Sequence, residues 1–117
     1  MAHIDTSASF PGFAWKDTHA TGLAEIDAQH KALFAIANDI FQHAAQNATT
    51  EALLIDLSHL RCCAVINFDT EEELMATLSL SPQHRDLHEK FHLDVIRYLD
   101  RITRLLCLLY TSDAADE

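Results

Sequence analysis

From Leu23 to Leu106 apolar residues return every third or fourth position, and within that span the only helix-breaking residue is Pro82. A period of 3.6 sustained that far constrains the chain to a few long amphipathic helices. With 2 Gly and 2 Pro in 117 residues, there is little turn material for a many-stranded sheet, so an all-α fold is expected. The length suits one domain around one core.

The pattern predicts a first helix over about 23–46, carrying Ile26, Leu33, Phe34, Ala37, Phe41 and Ala44. Gln46 to Thr50 is a polar break, and Thr49 or Thr50 can cap the next helix. The second helix is expected from about 51 to 79, with Leu53, Leu57, Leu60, Ala64, Phe68, Leu74, Met75 and Leu78 on one side. Ser81-Pro82 reads as an N-cap followed by proline at the first helical position. The third helix then runs to about 106 through Leu87, Phe91, Val95, Leu99, Ile102 and Leu106. Residues 1–22 read as irregular, punctuated by Pro11, Gly12 and Gly22 and anchored by Phe10, Phe13 and Trp15. Short connections imply an antiparallel up-down-up arrangement.

Charge narrows the partners. Eight Lys+Arg stand against 18 Asp+Glu, a formal net charge of −10, which argues against nucleic acid or an anionic membrane. No apolar run approaches the ~20 residues that span a bilayer. Met1 to Trp15 lacks the basic and apolar regions of a signal peptide. Cys62, Cys63 and Cys107 form neither a CxxC pair nor a disulfide framework, which fits the cytoplasm. The unusual count is eight His.

On helical wheels several polar groups fall on the apolar stripes. His30 shares its stripe with Leu23, Leu33, Phe34, Ala37 and Phe41. Asn67 and Glu71 share theirs with Leu60, Ala64, Leu74 and Leu78. His84 and His88 lie with Phe91, Val95 and Ile102. A lone core His is usually explained by one hydrogen bond, and a lone Glu by an exposed carboxylate. Such residues on all three stripes have a common explanation in metal coordination, since buried charges are paired or bound to metal. His84 and His88, one turn apart, can address one cation. Imidazole plus carboxylate suits iron, zinc or manganese. His92 falls at the rim of its stripe, as a boundary residue or a spare ligand; His59 lies on a flank; His3, His19 and His43 have no partner spacing. Cys62 and Cys63 lie off the stripe centre.

These residues also carry a resemblance. Trp15 followed by Gly22-Leu23-Ala24-Glu25-Ile26-Asp27-Ala28-Gln29-His30-Lys31-Ala32-Leu33 resembles the opening of bacterial hemerythrins. Asn67-Phe68-Asp69-Thr70-Glu71-Glu72-Glu73-Leu74-Met75 is similar to their H-F-x-x-E-E-x-L-M motif, with Asn67 in place of His. His84-Arg85-Asp86-Leu87-His88-Glu89-Lys90-Phe91 matches their H-x-x-x-H-x-x-F. The resemblance covers roughly residues 13–106.

It implies an antiparallel four-helix bundle with a non-haem di-iron centre that binds dioxygen for carriage, storage or sensing, with no catalytic residues. By that resemblance His84 and His88 would bind one iron, His30 the other, and Glu71 would bridge. Asn67 departs from the pattern: a carboxamide is a weak ligand for Fe(II), so partial iron occupancy is expected. The chain also does not present the family's fourth helix with its further His and bridging Asp. Residues 107–117 resemble a sequencing adaptor translated in frame, so a non-native tail is expected after a helical bundle at 23–106. Three helices shaped for a four-helix bundle leave an apolar groove, through which homo-oligomerisation is expected. The alternative is a metal-poor helical bundle acting as an interaction scaffold. A ferritin-like oxidase finds little support: Glu89-x-x-His92 has the spacing, but Glu89 points away from His84 on the wheel.

Overall fold

A computed structural model describes the backbone of residues 12–116 and the side chains of residues 12–109. The anchor expected at Phe10, the break at Pro11, and His3 lie outside the described residues. A single 3-10 turn, Asp17–His19, precedes three helices: α1 (Ala24–Ala45), α2 (Thr50–Thr77) and α3 (Pro82–Asp116). No strand occurs among the described residues, as the all-α reading requires.

Each helix end follows from local chemistry. Asn47 sits at φ 58°, in the left-handed region, directly after α1. There the Asn47 N–H donates to the Ala44 carbonyl (3.2 Å) and the Ala48 N–H to that of His43 (2.9 Å). This is the paired closure that satisfies the last carbonyls of a helix. Thr49 Oγ1 accepts from the Ala52 N–H at 3.1 Å and caps α2, as its position predicts. Ser81 Oγ accepts from the His84 N–H at 3.2 Å, with Pro82 as the first helical residue. The third helix was expected to stop near 106 but continues to Asp116. No Gly or Pro follows Pro82, so nothing in the sequence breaks the backbone ladder.

The hydrogen bonds that cross between helices show the direction of packing. His43 meets Asp56 beside the α1–α2 connection, and His30 meets Glu71 farther from it. Arg61 reaches Asp100 while His92 reaches Glu71. Both pairs of helices are therefore antiparallel. The Nδ1–H of His43 donates to Asp56 Oδ2 at 2.6 Å, and this bond raises the His43 pKa above its usual value.

Helices α1 and α3 each pack chiefly on α2. The core comprises Ile26, Ile36, Leu57, Ala64 and Leu99, joined by two polar residues, Asn67 and His92. Before α1, Trp15 and His19 rest against Phe34, with ring centroids 5.7 and 5.3 Å away. The Asn38 carboxamide holds both the N–H and the carbonyl of Phe13. Gly12 fits beside it because a Cβ there would lie 2.9 Å from Asn38 Oδ1, at a φ of +94°.

Leu87 and Phe91, read on the core stripe of the third helix, lie instead on an open face with Tyr98. Leu87, Phe91 and Tyr98 are 68%, 61% and 64% exposed. The packed side of α3 instead runs through His92 and Leu99, with Val95, Ile96 and Ile102 half-buried. With α2 as its main neighbour, α3 turns about 40° from the stripe drawn on the wheel, the angular step between His88 and His92.

The Asn47 closure generates a stability test. Asn47→Val puts a β-branched residue in the left-handed region and should destabilise by about 1–2 kcal/mol, read from urea unfolding. Asn47→Gly should match or exceed the wild type.

Candidate metal centre

Glu71 lies in the last two turns of α2, between the two flanking helices. Its carboxylate is forked. His30 Nε2 of α1 lies 2.9 Å from Oε1, and His92 Nε2 of α3 lies 2.9 Å from Oε2. The carboxylate can only accept, so each imidazole N–H donates to it. The Glu71 side chain is 18% exposed, His30 27% and His92 6%.

His92 is held on its other sides as well. Its ring stacks on Phe68 with centroids 3.9 Å apart and planes 10° from parallel. Its Nδ1 lies 3.5 Å from Glu72 Oε1. His88 is half-buried, and one of its ring nitrogens comes within 4.8 Å of ligand atoms of both Glu71 and His92. Among the described residues, these three form a cluster suited to a metal ion. His84 is exposed, its ring 4.7 Å from that of His88, and lines a cavity with Glu71, His88, Ile26, Leu74 and Met75.

Asn67 is 1% exposed, the most buried polar residue described, and its surroundings account for it. Its Nδ2 donates to Gln29 Oε1 at 2.9 Å, and Gln29 Nε2 donates to Thr70 Oγ1 at 3.0 Å. The Thr70 hydroxyl passes the chain to the Ile66 carbonyl at 2.9 Å. The bond to Gln29 occupies the donor side of this buried carboxamide.

Of the residues singled out in the sequence, the structure brings His30 onto Glu71, places His88 close by, and leaves His84 at the mouth of the cleft. His92, read as a rim residue, is buried and bonded to Glu71 instead. The available signal was the continued spacing of His84, His88 and His92, each one turn after the last. Gln29 was not recognised, and its partner Asn67 was the clue. His43 was judged partnerless on its spacing along one helix, but finds Asp56 across the turn. His19 likewise packs against Trp15, at 5.6 Å between centroids.

Hemerythrin-like proteins of Naegleria gruberi and Naegleria fowleri are each 29% identical to the chain over 86 residues. At this distance the chain is similar to hemerythrin-like proteins. The match covers 72% of this chain and 66% of each relative, so the chain spans just under two thirds of their length. No protein-family model matches the chain, and no solved structure does so. Among the described residues no helix is long and apolar enough to cross a membrane.

The polar chain through Gln29 gives a prediction. Gln29→Ala leaves the Asn67 amide without its acceptor in a dry position and should cost about 1–3 kcal/mol in chemical denaturation. The same change at exposed Gln42 should be nearly neutral.

Proposed function

We propose that this hemerythrin-like domain holds iron at a centre built on Glu71, with His30, His84 and His88 around it, and binds dioxygen there for carriage, storage or sensing. The observation that carries the reading is the fork of Glu71 between histidines of both flanking helices. A carboxylate facing imidazoles on two sides is the donor set borderline divalent metals prefer. Iron would supply reversible binding of dioxygen, and the chain's own residues would do the rest. Glu71 fixes the spacing between α1 and α3. His30 meets one oxygen of Glu71, His88 lies within 4.8 Å of the carboxylate, and Ile26, Leu74 and Met75 wall the adjoining cavity. The role is binding, in the cytoplasm, without a catalytic nucleophile.

Asn67 is the misfit in a two-iron reading. Its Nδ2 is engaged with Gln29, and a carboxamide oxygen is a poor replacement for imidazole. Occupancy on the His30 side is therefore expected to be partial. This observation also favours the alternative, a metal-poor scaffold acting through its surface.

Reconstitution separates the two. Protein loaded with Fe(II) under argon and then exposed to air should retain iron and develop an oxygen-dependent visible band. Glu71→Gln should reduce bound iron at least tenfold while keeping the helical circular dichroism of the wild type. Colourless, iron-free wild-type protein would establish the scaffold reading.

The open face of α3 bears on assembly. Leu87, Phe91 and Tyr98 point to self-association through this side, because contiguous exposed apolar surface favours contact with another chain. Sedimentation at increasing concentration should show species heavier than the monomer, and Phe91→Asp should shift them back. A single monomeric boundary throughout would remove this part of the proposal.

A further inference from the structure

We infer that His92 is a direct metal ligand, and that with His88 and Glu71 it forms a two-histidine, one-carboxylate site for a single divalent transition-metal ion. The inference rests on the metal-binding reading of Glu71 and goes beyond it by moving the α3 pair one helical turn, from His84/His88 to His88/His92.

Three features lead to it. First, distance: two ligands about 2.1 Å from one ion, at right angles, stand about 3 Å apart. His92 Nε2 and Glu71 Oε2 are already 2.9 Å apart, so the ion would replace the bridging proton with little movement of either group. The third nitrogen, on His88, is within 4.8 Å, and a χ rotation of this half-buried side chain can close that gap.

Second, preorganisation. The His92 ring is buried, stacked on Phe68, and directed at Glu71 by its Nε2. On the opposite edge Nδ1 faces Glu72 Oε1, the placement by which an outer carboxylate orients a ligating imidazole. His84 has no such support: it is exposed at the first turn of α3.

Third, stoichiometry. His30 occupies the other oxygen of Glu71, and the position next to it is filled by the bonded pair Gln29 and Asn67. A second ion lacks a third strong ligand there. The set Glu71, His88 and His92 leaves further coordination positions open, the arrangement typical of a mononuclear non-haem iron site.

Titration of the metal-free full chain with Co(II) under argon, followed by its visible absorption and by calorimetry, tests this. One ion per chain is expected. His92→Gln should weaken binding more than tenfold, since even outer partners of a metal ligand are worth about that much. His59→Ala, on the exposed flank of α2, should change affinity less than about threefold, and His84→Ala should weaken binding less than His92→Gln does. Circular dichroism checks the fold of every variant. Should His92→Gln fail to fold, ring-proton NMR of the Co(II)-loaded wild type decides instead: paramagnetically shifted signals from His88 and His92 support the inference, and shifts from His84 without His92 overturn it. Tight binding of one or two ions that survives His92→Gln and is lost in His84→Ala also overturns it, while leaving the metal-binding reading of Glu71 standing. A wild-type chain that takes up no Co(II) defeats both.

Discussion

The structure depends on one carboxylate held between two imidazoles. Helices α1 and α3 pack chiefly against α2, and the main polar tie that spans all three layers passes through Glu71. A half-buried carboxylate is costly to leave alone, because its loss of hydration must be offset by donors or a cation. His30 and His92 supply donors at 2.9 Å on both sides. The same pair of contacts ties α1 and α3 to α2 at one point.

Around that point the core is partly polar, and its amide and hydroxyl donors are bonded in series. Asn67 is satisfied by Gln29, Gln29 by Thr70, and Thr70 by the backbone of its own helix. Low dielectric strengthens such a chain when every member is bonded and penalises it when one is missing. It also makes the two sides of Glu71 unequal. Toward α1 the neighbourhood is closed by carboxamides; toward α3 it offers a further imidazole within reach.

Much of this could be read from the residues. Helical period, the Thr49 and Ser81 caps, and the placement of His30, Asn67 and Glu71 on core stripes all follow from local spacing. The structure bears out these elements to within a residue or two, except at the end of α3. What spacing could not supply was rotation. A wheel assigns a stripe on the assumption that the largest apolar arc is buried, and on α3 that arc includes Leu87 and Phe91, which are exposed. Nor could it reveal contacts made across a connection, such as His43 with Asp56, because these depend on where the Asn47 closure sends the chain.

The rotation of α3 is therefore a functional variable as well as a packing detail. His84, His88 and His92 recur at one-turn intervals, but successive members advance about 40° around the axis, so no single orientation aims all three equally at Glu71. In the orientation described, Leu99 is buried against α2 and His92 is carried inward with it. His84 is left outward. Any contact that covered Leu87 and Phe91 would compete with α2 for this helix and favour turning it back toward His84. Which imidazoles face the carboxylate is then set by how apolar surface on the far side of α3 is shared.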